Sequence, residues 1–293
     1  MVYKKEKVKE FWNKHGMTYD WEKKYNIQEG TRVWFKRIDK ILFDIEKFLR
    51  DKKRRPFGKI IPYDELKGKK VLEVGCGMGS ITGFMAKQGI ITTSIDLTPK
   101  AVKNTKKRLE LLKKDNPKIK TISKCTVKVD DAEKLSFKDN TFDFVVSWGV
   151  IHHSPYTEKC INEIYRVLKP GGRTSGMVYN KNSIVYYIHY MLLRGIFMGK
   201  LLKYSAKQLA DRYADGFQFG EGCPKAEHFT KRRWFRMMKK AGFRKIPLSG
   251  SSQTSDIGVF GTNKILDKII PNSIYSCIFK KWGYFLVWNK VKK

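Results

Sequence analysis

Apolar positions along this chain follow two rhythms, and the change falls near residue 69. Before it, Phe11, Trp12, Trp21, Tyr25, Trp34, Phe35, Ile38, Leu42, Ile45 and Phe48 recur at helical spacing between charged residues, as in helices that bury one face. A basic run, RDKKRR at 50–55, and two prolines, Pro56 and Pro62, then punctuate the chain. From 69 onward short apolar runs alternate with amphipathic stretches, which predicts repeated βα units around a parallel sheet. Strands are expected at 70–74, 90–95, 126–129, 142–148 and 173–179. Helices are expected between them, at 79–88, at 99–114 with Ala101, Val102, Leu109 and Leu112 inward, and at 157–168 with Ile161, Ile164, Tyr165 and Leu168 inward. LKPGG at 168–172 should end the last of these with a proline stop and a glycine turn.

The rhythm lapses between 180 and 230. It resumes with a helix at 230–241, an apolar stretch at 243–248 and a strand, YFLVWNKV, at 284–291. Four segments are therefore expected: an N-terminal helical cap at 1–65, a central α/β core at 66–180, an insertion or lid with its helix at 181–242, and sheet-completing strands at 243–293. No internal repeat and no low-complexity segment interrupts this order.

Length and composition narrow the class less than the rhythm does. A chain of 293 residues with 41% hydrophobic content can bury one large core or two modest ones. Its formal charge of +33 raises nucleic acid, anionic lipid or an acidic substrate as partners. Only 14 of the 61 basic residues are Arg, however, and phosphate and base recognition leans on the Arg fork, so a solvated lysine surface accounts for much of the excess.

Cys76, Cys125, Cys160, Cys223 and Cys277 stand singly, with no zinc spacing, which points to a reducing, cytoplasmic setting and to no bound metal. MVYKKEKVKEFW has a charged start without an apolar stretch behind it, so no signal peptide is expected. Residues 183–204 are the most membrane-like, yet Arg194 and Lys200 interrupt them and the apolar run is too short to span. A helix there would set Ile184, Ile188, Met191 and Leu192 on one face with Arg194, Lys200 and Lys203 nearby. That arrangement suits either a substrate lid or a peripheral contact with an anionic membrane.

Candidate chemistry begins at VLEVGCGMGS, residues 71–80, where a strand runs into Gly75, Gly77 and Gly79. Bare backbone at the carboxyl end of the first strand of a parallel sheet lets N–H groups approach a ligand. A dinucleotide pyrophosphate wants a glycine where this chain has Ser80, and Glu73 just before the loop would repel a phosphate. S-adenosylmethionine, which carries an ammonium and a sulfonium, would instead welcome that carboxylate. Asp96, ending the next strand, stands where a carboxylate can accept ribose hydroxyls, and Asp131, in VDDAEKLSF after the third strand, where a side chain can accept from an adenine amino group.

With FDFVVSWGVIHH as its fourth strand and LKPGG before its fifth, the chain resembles the class I S-adenosylmethionine-dependent methyltransferases, in their small-molecule branch, over residues 66–180. Residues 215–243 look like the carboxyl part of bacterial members. The resemblance implies a Rossmann-like α/β fold: a seven-stranded, mostly parallel sheet with helices on both faces and YFLVWNKV as the inserted antiparallel strand. It implies that Gly75, Cys76, Gly77 and Gly79 border the methionine part with Glu73 beneath, that Asp96 and Leu97 meet the ribose, Asp131 and Ala132 the adenine, and that Trp148 and Gly149 lie beside the methyl donor. Asp130 replaces a glycine common in relatives, which leaves Asp130 and Asp131 as rivals for the adenine.

Methyl transfer from a sulfonium is a direct displacement, so alignment matters most and a general base is needed only for a hydroxyl or protonated amine. His153 and His152, after the fourth strand, are the candidates, with Tyr179 and His228 as further ones. A small-molecule or lipid acceptor is expected. A nucleic-acid acceptor is the alternative that the charge supports, but no N-P-P-Y motif or Pro-Cys pair accompanies it. A non-catalytic binding partner that keeps the fold is the third reading.

Overall fold

The computed structural model describes residues 5–18, 27–215, 222–244, 249–251 and 282–292. Helix α1, Lys5–His15, buries Val8 and Phe11 and stops at Gly16, whose φ of 55° suits glycine. Helix α2, Arg32–Ile45, starts where the Thr31 side chain accepts from the Trp34 backbone N–H, and turns Phe35, Ile38 and Leu42 inward. The helical rhythm of the first fifty residues is thus carried, among the described residues, by these two helices and a short 3-10 turn at Lys47–Leu49. Trp21 and Tyr25 lie outside the described residues.

The βα alternation then follows: β1 Val71–Val74, α3 Ser80–Lys87, β2 Thr92–Asp96, α4 Pro99–Asp115, β3 Thr126–Val129, β4 Phe142–Trp148, α5 Thr157–Val167 and β5 Leu168–Asn180. After a π-helix at Val185–Phe197 come α6 Ala206–Ala214, β6 His228–Phe229, α7 Lys231–Lys240, β7 Phe243–Arg244, β8 Ser249–Ser251 and β9 Phe285–Lys292. The sheet runs β3-β2-β1-β4-β5-β9-β7, with β6 beside the end of β5 and β8 beside β9. β1 to β5 pair in parallel, while β9 runs antiparallel between β5 and β7, as expected of the inserted strand.

Both faces of the sheet are covered, which is why its central strands are continuous apolar runs. Along β4, Phe144, Val146 and Trp148 point into one core with Leu42, Phe57 and Met85, while Val145 points into the other with Ile161, Ile164, Trp234 and Trp288. Residues before 66 share the first core with the sheet. Because the chain lays β2 and β3 on one side of β1 and then crosses to β4, the strand order reverses between β1 and β4. A cleft opens at their carboxyl ends.

Two local expectations change. The fifth strand begins at Leu168 rather than 173: LKPGG is taken up in the sheet as an irregularity, with Leu168 opposite Phe142 and Arg173 opposite Phe144. The stretch 183–204 is not an α-helix. Its i→i+5 winding rotates Met191 against the core and leaves Ile188, Leu192, Ile196 and Phe197 outside, so the face predicted from Ile184, Ile188, Met191 and Leu192 does not form. Residues 216–221 and 245–248, within stretches singled out above, lie outside the described residues.

Candidate functional site

The cleft holds a cavity of about 390 Å³ that runs from the β1–α3 turn to β5, the π-helix and α6. At its floor Gly75 and Cys76 N–H groups both donate to the Ile95 carbonyl, tying the turn to β2. Gly75 has φ 79°, and a Cβ there would lie 2.2 Å from Val150 Cγ2, so only glycine fits. Gly77 is also left-handed but faces open space, leaving its surface to a ligand.

Asp96 holds this turn in place. One of its oxygens accepts from Gly77 N–H at 3.0 Å, and the other from Thr98 N–H and Oγ1 at 2.9 and 2.8 Å. Burial nonetheless raises its pKa. Leu97 lies beside it in the wall.

Glu73, on β1, is buried beneath the loop, where it accepts from Thr82 Oγ1 and from Ser94 Oγ at 3.3 Å. Burial pushes its carboxyl up to about 8, which favours the protonated form at neutral pH. A cationic ligand overhead would favour the carboxylate.

Asp130 and Asp131 both line the cavity but make different contacts. Asp130 is tied back to Ser136 Oγ at 2.6 Å and Lys128 Nζ at 3.2 Å. Asp131 faces the mouth, where Lys5 Nζ of α1 lies 2.5 Å from both its carboxylate and that of Glu133. Ala132, Gly149 and Trp148 also line the wall, and Trp148 is wedged edge-on against Phe57. Cys76 is there too, but burial raises its thiol and makes it inert.

At the other end stand the acid–base groups. The His153 Nδ1–H donates to the Lys225 carbonyl at 2.6 Å, since a carbonyl can only accept, which leaves the Nε2 lone pair facing Asp215 at 3.5 Å. Tyr179 donates its hydroxyl to the same carboxylate at 2.8 Å. Burial lowers the pKa of His153 and raises that of Asp215, so it disfavours the charged form of each. Lys225 spans from Glu227, 2.9 Å away, to the Pro155 carbonyl at 3.2 Å, clamping the His152–His153 turn to the 222–228 segment.

His153 and Tyr179 therefore line the cavity, whereas His152 and His228 stand behind it. His152 is fully buried, touches the rings of His153 and Tyr179, and its ring nitrogens meet no hydrogen-bond partner among the described residues. His228 pairs through Nε2 with the Tyr284 hydroxyl at 3.2 Å, and burial lowers its pKa to about 3.

Donor atoms of His152, His153 and Asp215 fall within 4.8 Å of one another, a spacing that could hold a metal ion. The nearby Lys225 charge, which already lowers both histidines, works against a second cation there.

Sequence reasoning missed Asp215, as well as Tyr213 and Tyr284 in the wall around it; Trp12 and Tyr190, two of the aromatic residues outside the core that could be expected to line an acceptor cavity, also stand in that wall. Asp215 follows the last turn of α6 with no periodic or motif signal, and only the fold carries it 36 positions back to Tyr179.

Residues 72–175 match the family model described as a methyltransferase domain. Phosphoethanolamine N-methyltransferase 2 of Caenorhabditis elegans is 34% identical over 115 residues, covering 39% of this chain and 24% of that protein. The ubiquinone biosynthesis O-methyltransferase of Coxiella burnetii is 29% identical over 121 residues, covering 41% and 48%. The chain thus spans less than half the length of these curated relatives. Among solved structures, magnesium protoporphyrin IX methyltransferase of Synechocystis PCC 6803 with bound SAH superposes with a TM-score of 0.57 at 14% identity, over 99% of this chain and 100% of that one.

Proposed function

We propose that this chain, which belongs to the class I S-adenosylmethionine-dependent methyltransferases, passes a methyl group from that cofactor to a small-molecule or lipid acceptor by direct displacement. The observation that carries the reading is continuity: one cavity joins the glycine turn, Glu73 and Asp96 to the His153–Asp215 pair.

When bound, the cofactor supplies a methyl group made electrophilic by its sulfonium. The chain's own groups do the rest. Glu73 and the Gly75–Met78 backbone receive the cationic end, Asp96 the ribose, and Asp131 the adenine once Lys5 yields, while Gly79, expected there too, packs against Thr105 outside the cavity lining. Trp148 and Gly149 close the space beside the reacting carbon and exclude water.

The acceptor enters the aromatic chamber of Trp12, Tyr179, Tyr190, Tyr213 and Tyr284. There neutral His153 takes its proton on Nε2, and Asp215 stabilises the imidazolium that results. Tyr179, buried and with its pKa raised, serves to orient Asp215 rather than to ionise.

Isothermal titration tests the cofactor half of this reading. S-adenosylhomocysteine should bind the intact chain, and Asp96→Ala should weaken it at least tenfold, because the substitution removes both the ribose acceptor and the tether of Gly77. Absence of binding by the intact chain contradicts the proposal.

A further inference from the structure

The π-helix Val185–Phe197 separates the cavity from the outside. Its inner side supplies Val185, His189, Tyr190 and Arg194 to the cavity wall. Its outer side, continued by the turn Lys200–Leu202, carries Ile188, Leu192, Ile196, Phe197, Met198 and Leu202 into solvent, with Phe197 75% and Leu202 96% exposed. Among the described residues, eight of the twelve exposed large hydrophobic ones lie between 187 and 202, so this apolar surface is concentrated rather than scattered.

Charge says what would cover it. Residues 183–210 contain Arg194, Lys200, Lys203 and Lys207 and no acidic residue. Lys203 is exposed and Lys200 half-buried at the rim of the apolar patch. An apolar ridge with a basic rim complements an anionic bilayer, whose acyl boundary takes the ridge and whose phosphates take the rim. A second copy of the chain would set the same positive rim against itself, which disfavours that occupant. The ridge can lie on a membrane but not cross it: no helix among the described residues is long and apolar enough to span one.

We infer that residues 187–202 dock on an anionic lipid surface, with Phe197, Met198 and Leu202 entering the acyl boundary and Lys200 and Lys203 meeting lipid phosphates. Docking goes beyond the methyl-transfer reading and does not depend on it. It sets the wall of the acceptor chamber against the bilayer.

Sedimentation with sucrose-loaded vesicles tests the inference, using phosphatidylcholine alone and phosphatidylcholine mixed with phosphatidylglycerol. The full chain should bind the mixed vesicles, more weakly as salt rises. Phe197→Ser with Leu202→Ser should lower the partition coefficient by about tenfold or more, because two large side chains lose their transfer into the acyl boundary. Lys200→Glu with Lys203→Glu should lower it on mixed vesicles only. Circular dichroism and S-adenosylhomocysteine titration of each variant report folding and the cofactor site.

Equal binding by native and serine-substituted chains overturns the inference, because the charge of +33 would then act from elsewhere. So does absence of vesicle binding, or a native dimer in sedimentation velocity that the serine substitutions dissociate. A chain that binds vesicles but not S-adenosylhomocysteine would keep the docking and lose the methyl-transfer reading.

Discussion

Glu73 couples the cofactor site to pH. Its buried carboxyl titrates near 8 in the folded chain against 4.5 as the ordinary value, so between those limits the folded state holds a proton that the unfolded state has released. The stability contributed by this group therefore falls as pH rises from 4.5 towards 8, while the affinity for a cationic ligand rises over the upper part of that range. Titration calorimetry in buffers of different ionisation enthalpy at pH 7 should show proton release on binding S-adenosylmethionine. Glu73→Gln should abolish that release and weaken binding; unchanged proton release in the variant would assign it to another group.

His153 and Asp215 make the second residue-scale expectation. If His153 accepts the acceptor's proton while Asp215 steadies it, Asp215→Asn and His153→Ala should each cut kcat by about 10²–10⁴, and the double substitution little further, because the two act as one unit. Affinity for S-adenosylhomocysteine should be unchanged. The acid limb of kcat/KM should fall below 6.5, since burial lowers the His153 pKa from that value.

Among the elements, the β1–α3 turn is the least replaceable. Gly75→Ala forces a left-handed β-carbon into Val150, so it should cost about 1–3 kcal/mol from backbone strain alone, with overlap added, and it should close the cofactor floor. Gly77→Ala keeps the strained φ of 51° but meets only open space, so its stability loss should be smaller while binding still suffers. Urea unfolding of the two variants compares them directly; equal losses would remove the argument from Val150.

The same elements show what the residue pattern revealed. β1, β3, β4 and α5 stand within a residue or so of their expected limits because buried strands are unbroken apolar runs and α5 places Ile161 and Ile164 on one face. Most residues expected on the cofactor side line one cavity for a related reason: they stand at or just after strand ends in a fixed order. The acceptor side was not. Asp215 reaches Tyr179 only by tertiary folding, and the π winding of 185–197 replaces the helical period on which any face was read. Lys5 at the carboxylates of Asp131 and Glu133 is likewise a contact between distant segments that no local pattern announces.

For the whole molecule, the sheet reversal between β1 and β4 creates the cleft, and α1, α2, the π-helix and α6 roof it with aromatic and apolar side chains. The net charge is +33, whereas the cavity wall sets aromatic rings beside acidic residues that outnumber its two cations, Lys5 and Arg194. That contrast favours a small or lipid-like acceptor over a nucleic acid held on the outside. Incubation with methyl-labelled S-adenosylmethionine and a cell extract, followed by separation into lipid, small-molecule, protein and nucleic-acid fractions, tests this most directly. The account predicts label in the lipid or small-molecule fraction that disappears with Asp96→Ala; label confined to RNA or DNA, or no transfer at all, would contradict it.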